Sequence, residues 1–396
     1  YKPYLKDEEL DDISVDKMTL EDREAWTDNN IDKLLEIADK EIISPVAEKP
    51  ISLLASVLEI KDALDQEEYI TYLPIPIDGS NNGWQHLCAM SKDKEAGELV
   101  GIVPQDIQKD FYVQCAKDLI KRVPEWFEER QMSMKHIRKG IAKRGSMTRA
   151  YSAGAQKIAE NMYLDCHVEG YLDKYNITEE DCELLAKHLI KAIDSVCAGP
   201  LQTMKFLQKI AEAEIASEYS KNIKQKSIRW TTPSGFPVIY EAFVENEFKE
   251  KAIISCSQRK VKPILTKEDG SKEETDTIRI QHVGKEPTDK PKIRSFMSGI
   301  SPNFVHSMDA SHMARVIAKW GADFGAVHDS FSVHACDVDE LLDLIKEEFI
   351  LMYSYSNFFE VIERMIVTNP DNFNYNQPKL GSLDIREVKN SDYFFA

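Results

Sequence analysis

Residues Tyr72–His86 read YLPIPIDGSNNGWQH, and residues Gly325–Val333 read GAVHDSFSV. In each, a short apolar run meets one aspartate: Asp78 ahead of Gly-Ser, and Asp329 behind His328. Buried strands commonly stop at Gly, Asn or Asp because turns need those residues, so either stretch alone is an ordinary strand end. Taken together they predict two strand-borne carboxylates. The second stretch predicts an apolar strand with His328 and Asp329 in its middle.

The surrounding chain limits what such a pair can do. Its 396 residues are enough for two or three subdomains with ample core. No apolar run approaches the ~20 residues that span a bilayer, and no secretory signal opens the sequence. The seven cysteines (88, 115, 166, 182, 197, 256 and 336) are scattered, with no CxxC pair. That pattern argues against a disulfide framework or a zinc site. A cytoplasmic protein without a membrane partner is expected. His306 and His312 are six apart, which puts them on different faces of a helix. Lys plus Arg is 50 against 68 Asp plus Glu, a net charge of −18, which argues mildly against a nucleic-acid binder. Distribution counts for more than the sum. KHIRKGIAKRGSMTR (Lys135–Arg149) holds six Lys or Arg and no acid, so it can gather polyanions at one place on an acidic surface.

Residues 1–15 are acidic and poorly patterned, and loose order is expected there. A helix is predicted from Thr19 as N-cap, and a second over residues 50–65 after Pro50. An amphipathic helix is predicted over 102–123, with more helix through the basic segment and much of 155–225. SIRWTTPSGFPVIYE (227–241) reads as a β-hairpin around Pro-Ser-Gly. Residues 252–265 and 276–283 flank KEDGSKEE and predict a long exposed β-ribbon. A helix is expected to start near Pro302 and another to cover 337–350. The sum is a helix-rich α+β fold.

Two carboxylates converging on one point repel unless cations lie between them, and hard oxygen donors suit Mg²⁺. Two Mg²⁺ ions about 4 Å apart can activate a hydroxyl and stabilise leaving pyrophosphate. Such chemistry also needs Lys or Arg on the phosphates, which Lys143 and Arg144 could supply. Tyr151 follows Lys143 by eight residues, about two helical turns, and so falls near the same face.

In this order the motifs resemble those of the single-subunit RNA polymerases of phages and mitochondria. DGSNNGWQH (78–86) is similar to their motif A, KRGSMTRAYS (143–152) to motif B and VHDSF (327–331) to motif C. PNFVHSMDASHM (302–313) matches the helix before motif C, WTTPSGFPV (230–238) a fingers hairpin, and SDYFFA (391–396) the terminal foot. The resemblance implies a right-hand fold whose small antiparallel palm sheet bears the aspartates. It divides the chain into a helical lead-in (1–77), palm with motif A (78–97), fingers with motif B and a ribbon at about 250–285 (98–295), and palm with motif C and foot (296–396). It further implies that Asp78 and Asp329, with the Gly79 carbonyl, hold two Mg²⁺ ions. Lys143 would meet the phosphates of the incoming NTP, with Arg144 beside it. Tyr151 and His306 would sense the ribose 2′-hydroxyl, His328 would lie near the RNA 3′ end, and Tyr112 would line the nucleotide site. Template DNA, nascent RNA and NTPs are the implied partners.

Three departures stand out. The family arginine four residues before the motif B lysine is Lys139 here, with Arg138 adjacent, and either is left to meet phosphate. The glycine after the motif B tyrosine is Ser152, and the Tyr112–Lys143 segment is short, as if the fingers were trimmed. A related DNA polymerase would carry Glu where Gly83 stands and Glu after the motif C aspartate, where this chain has Ser330. A non-catalytic polymerase-like subunit would have lost a metal ligand or the lysine, yet Asp78, Asp329 and Lys143 are all present. A generic two-aspartate nuclease leaves the basic helix unexplained. The family's Asp-x-x-Gly-Arg element is absent, since no Gly-Arg dipeptide occurs, and only 77 residues precede Asp78. A second polypeptide supplying thumb and that element, as in a heterodimeric phage enzyme, is therefore expected.

Overall fold

The computed structural model describes residues 18–44, 47, 49–215, 226–255, 264–266, 272–275, 277–368 and 375–395. The expected loose N-terminal stretch lies outside them. Thr19 accepts a hydrogen bond from the Asp22 backbone N–H and so opens α1 (Leu20–Asp39). Pro50 at the first turn opens α2 (Pro50–Leu64), where its missing N–H costs nothing. These two helices close on a small core of their own, Leu34, Ile37, Ala38, Leu53 and Val57, separate from the main one.

The strand β1 (Ile75–Asp78) buries Ile77 and ends at Asp78. The helix α3 (Asn82–Ser91) follows at once and is buried along its whole length. After α4 (Lys94–Leu99) the sequence-based helix over 102–123 is corrected. Only α5 (Phe111–Arg122) is helical, because the Asp110 side chain caps it by accepting from Val113 N–H at 3.0 Å. Then come α6 (Pro124–Arg130) and a basic segment in three parts: α7 (Met134–His136), a π-helical stretch Ile137–Ala142, and α8 (Lys143–Arg149). The helices α9 (Ala155–Val168), α10 (Tyr171–Tyr175) and α11 (Glu179–Val196) pack behind it, and α12 (Ala198–Ile215) packs against α3. A reciprocal Thr178–Asp181 capping box starts α11.

The hairpin of β2 (Ser227–Thr231) and β3 (Pro237–Glu241) lies where Pro-Ser-Gly predicts it. The ribbon pairs β4 (Phe243–Ser255) with β7 (Thr277–Pro291), and a short pair β5 (Ile264–Thr266) and β6 (Lys272–Glu274) lies between them in sequence. Its base extends beyond the expected stretch, and much of 256–276 lies outside the described residues.

The expected helix start at Pro302 is also corrected. The helix α13 runs Ile293–Lys319, with Pro302 inside it. Buried Ile300, Phe304, Val305 and Met308 hold the helix through the one backbone donor that proline lacks. The chain continues with β8 (Gly325–Val327), β9 (Ser330–Val333), α14 (Val338–Tyr353) and α15 (Phe358–Ile366). The strands β1, β9 and β8 form one antiparallel sheet in that order, with Asp78 opposite Ser330. The last residues pack under it. Phe395 stacks on Phe331 at 5.5 Å and pairs its backbone with Gly79, and Gln85 donates to the Phe394 carbonyl at 2.8 Å. The class is α+β, as read from the sequence.

His312 on α13 is fully buried and donates from Nε2 to the Ile345 carbonyl at 2.9 Å. Burial pushes its pKa down to about 4. The unfolded chain therefore takes up a proton near pH 6.5 that the folded chain refuses. Stability is fully present above that pH and is lost as pH falls toward 4. We expect about 2 kcal/mol less unfolding free energy at pH 5 than at pH 7 from this residue. Urea melts of wild type and His312→Gln check this: the variant should show a smaller pH dependence by that amount.

Candidate active site

The β1–β9 register places Asp78 and Asp329 together at one end of the sheet. The Gly79 N–H donates to the Asp329 carbonyl at 3.2 Å, so the two acidic residues sit on adjoining backbones. The sequence put His328 and Asp329 in mid-strand. They form instead the two-residue turn between β8 and β9, with His328 at φ +56°. That left-handed conformation suits a tight hairpin turn, and holding a histidine in it is a local strain. A carboxylate in a turn is not committed to either face of a pleated strand. His328 is exposed beside it.

Asp78 is open to solvent on one side, but the atoms behind it desolvate the carboxyl. Burial and then the Asp329 charge push its pKa above the usual carboxylate range, against a lowering hydrogen bond from Gly79. Asp329 is raised as well, by burial first, with the Asp309 charge adding to it. Two carboxylates each held up in this way fit a divalent cation, which would relieve both. Among the described residues no group of three or more His, Cys, Asp and Glu could hold a metal ion. Two carboxylates with a backbone carbonyl still match Mg²⁺, which takes one or two protein carboxylates plus substrate phosphates.

A cleft of about 490 Å³ opens over the pair, and Tyr112, Arg138, Lys143 and Tyr151 share it with Asp78 and Asp329. The basic segment enters it through its π-helical stretch. There the Lys143 N–H reaches back five residues to the Arg138 carbonyl. In an α-helix, residues four apart share a face, which would pair Lys139 with Lys143. The wider turn instead aligns Arg138 with Lys143. Gly140 sits at its centre, where a Cβ would come within 2.7 Å of the Tyr171 ring. Arg138 donates to Asp110 at 2.6 Å and lies over the Tyr112 ring at 5.3 Å. Burial pushes the Tyr112 hydroxyl up.

Lys139 and Arg144, both candidates from the sequence, are not among the residues lining the cleft. Lys139 pairs with Glu169 at 2.7 Å and Arg144 with Asp165 at 2.8 Å. Tyr151 stands not on a helix but in the turn after α8, and its ring stacks flat on His306 of α13, with centroids 4.4 Å apart and planes at 4°. Burial pushes the Tyr151 hydroxyl up. A Cβ at Gly83 would lie 2.7 Å from that hydroxyl, so glycine there makes room for the tyrosine. Ser152, in the place of the family glycine, adopts φ +65°, so the backbone keeps a turn that glycine would take without strain.

Sequence reasoning passed over Asp309. It follows His306 by three residues, one helical turn, and that spacing was its only signal. Burial pushes its carboxyl up, and the side chains of His86 and Asn82 more than reverse this, leaving it below the usual range. The His86 Nε2 lies 3.9 Å away, and its Nδ1 is 2.7 Å from the Tyr353 hydroxyl.

The sequence profile described as DNA-dependent RNA polymerase matches residues 4–377. Over 401 residues the chain is 27% identical to DNA-directed RNA polymerase 1, mitochondrial, of Arabidopsis thaliana, covering 96% of this chain and 38% of that protein. It is 29% identical over 404 residues to DNA-directed RNA polymerase 2, chloroplastic/mitochondrial, of the same plant, covering 96% and 36%. With DNA-directed RNA polymerase 3, chloroplastic, of Nicotiana sylvestris it shares 28% over 401 residues, covering 96% and 38%. The chain thus spans a little over a third of the length of these relatives. A match that runs through both aspartate-bearing strands, the basic helix and the stacked tyrosine places all of them in one lineage, and the chain belongs to the single-subunit, phage-type DNA-dependent RNA polymerase family.

Proposed function

We propose that this chain carries the catalytic centre for DNA-templated RNA synthesis from NTPs, with the domain division read from the sequence. The observation that carries the reading is the shared cleft, in which Asp78 and Asp329 face Lys143 and Arg138. Asp78, Asp329 and the Gly79 carbonyl would hold two Mg²⁺ ions, which lower the pKa of the RNA 3′-hydroxyl and offset charge on the phosphates when bound. The 3′-oxygen forms its bond to the α-phosphorus as the bond to pyrophosphate breaks. Lys143 and Arg138 would hold the β- and γ-phosphates and take up the charge that grows on the leaving group. Tyr112 would wall the base or sugar beside Arg138, and His328 would stand by the 3′ end.

The stacked Tyr151–His306 pair supports a reading at the ribose. A rigid hydroxyl at the cleft wall can join a polar network with the 2′-hydroxyl. Gly83, where a DNA polymerase would carry a glutamate, leaves that wall open. Losing one such hydrogen bond costs ~1–3 kcal/mol when its partners stay buried. Tyr151→Phe should therefore narrow the preference for rNTP over dNTP by about tenfold or more. Side-by-side primer extension on a DNA template measures this, and unchanged selectivity returns Tyr151 to packing.

We also propose that the grip on the RNA–DNA hybrid comes from residues outside this chain, in a companion polypeptide. The supporting feature is the set of exposed apolar side chains Ile51, Leu64, Ile70 and Tyr72 in the lead-in. The same extension assay, run with this chain alone and with a Gly-Arg-bearing companion, separates the cases. Processive synthesis by this chain alone ends the companion reading. Preference for dNTPs favours the DNA polymerase alternative, and no extension in either arm favours a non-catalytic subunit.

A further inference from the structure

We infer that Asp309, His86 and Tyr353 form a buried relay of positioning residues that holds the Tyr151–His306 stack in place and so sharpens the choice of ribose. The inference rests on the polymerase reading above and extends it to three side chains, none of which is among the residues lining the cleft. Asp309 follows His306 by one turn of α13, so the two share a face of that helix. On the other side of Asp309 stands the first turn of α3. There a Cβ at Gly83 would meet the Tyr151 hydroxyl at 2.7 Å, and its neighbour Asn82 flanks the Asp309 carboxylate. Asp309 thus stands where the helix that carries His306 meets the helix that abuts Tyr151.

Chemistry gives the relay a direction. Tyr353 on α14 is buried, and burial keeps its hydroxyl protonated, so it donates to His86 Nδ1 at 2.7 Å. An imidazole that accepts at Nδ1 carries its proton on Nε2. That Nε2 is the atom facing Asp309, 3.9 Å from Oδ1. His86 and Asn82 are both buried, and among the described residues neither His86 Nε2 nor Asn82 Nδ2 has a hydrogen-bond partner. Buried donors left unmade are costly, and the Asp309 carboxylate is the acceptor beside both. A gap of 3.9 Å is too long for a hydrogen bond, but contacts at a site tighten when it is occupied. Closing the gap ties α13 to α3 and fixes the rotation of α13, and with it His306 against the Tyr151 ring. Phe349 packs against the His86 ring with centroids 5.3 Å apart, so the relay lies in an apolar shell where its bonds gain strength.

The test uses the full chain, assembled with any companion it needs. Asp309→Asn, Tyr353→Phe and His86→Gln are compared with wild type, and again on a Tyr151→Phe background. Two quantities are read: kcat/KM for rNTP and for dNTP in primer extension, and the imidazole resonances of His306 in histidine-labelled protein, assigned with His306→Gln. Asp309→Asn should lower the preference for rNTP by about five- to tenfold and Tyr353→Phe by about two- to fivefold, with dNTP addition held within about twofold. In both, the His306 resonances should shift as the ring leaves the Tyr151 ring current. His86→Gln, whose amide nitrogen can replace Nε2 toward Asp309, should fall between wild type and Asp309→Asn. On the Tyr151→Phe background none of the three should lower the preference further, because residues acting through one unit are not additive. Tyr353→Phe removes a single oxygen, so it carries the test if Asp309→Asn does not fold. Equal loss of rNTP and dNTP addition, effects that multiply with Tyr151→Phe, or unmoved His306 resonances in both Asp309→Asn and Tyr353→Phe would each overturn the inference. The spectra need no catalysis. A wild type that fails to extend primer therefore counts against the polymerase reading, while the His306 resonances still decide the relay.

Discussion

Asp329→Asn should remove nearly all nucleotide addition, by roughly a thousandfold or more, and leave the protein at least as stable as before. The loss follows from charge. An amide cannot offset a divalent cation, and the stabilisation such an ion gives a phosphoryl transition state is several kcal/mol, at about 1.36 kcal/mol per tenfold. The stability half follows from the upward shift of the Asp329 carboxyl, caused first by burial and then by the neighbouring Asp309 charge. A carboxyl whose folded pKa is raised is one whose charged form the fold disfavours. Removing that charge relieves the fold at neutral pH in the absence of metal. Asp78→Asn should behave alike, since burial and Asp329 push its carboxyl the same way. Single-nucleotide extension at saturating NTP and thermal melts in chelator are the two measurements. A variant of either residue that extends primer near the wild-type rate would remove the metal assignment.

The next largest effect should separate two neighbours. Arg138→Gln is expected to lower kcat/KM for NTP by about ten- to a hundredfold, the worth of a charge-assisted bond of ~1.5–3 kcal/mol. Lys139→Gln should change it by less than about twofold, because an exposed ion pair contributes little. The distinction comes from the π-helical stretch, which sets Arg138 in line with Lys143 and leaves Lys139 paired with Glu169. The reverse ranking would mean that the basic segment rewinds to a regular α-helix when a nucleotide binds. A crystal structure with NTP, or the same kinetics on a Gly140→Ala background, would then show it.

How much of this was legible in the sequence depends on how local each signal was. Thr19 and Pro50 marked helix starts because capping is a contact within one turn. The β2–β3 hairpin was legible because Pro-Ser-Gly allows few other paths. The strand that ends at Asp78 was legible, but the turn that holds Asp329 was not. An apolar run on both sides of His-Asp looks continuous, and only pairing with β1 and the φ of His328 break it. Pro302 read as a helix start because proline is usually found there, and tertiary packing of α13 overrode the preference. The π-helical register had no sequence mark beyond Gly140, so Lys139 and Arg138 stayed open as alternatives for the phosphate.

The pairing of β1 with β9 also sets when the aspartate pair can exist. Asp78 and Asp329 are 251 residues apart, and the clamp from Gln85 to the Phe394 carbonyl closes over 309. Contacts of such separation are expensive in loop-closure entropy and form late. On a ribosome, the basic helix and the helices behind it emerge and can pack while Asp329 and the strand β9 after it have not yet been made. A nascent or prematurely released chain would hold one aspartate and the cations of the basic segment, with no partner strand to complete the floor. Synthesis and assembly are thereby ordered in time: the two aspartates meet only after most of the fold has been built around them.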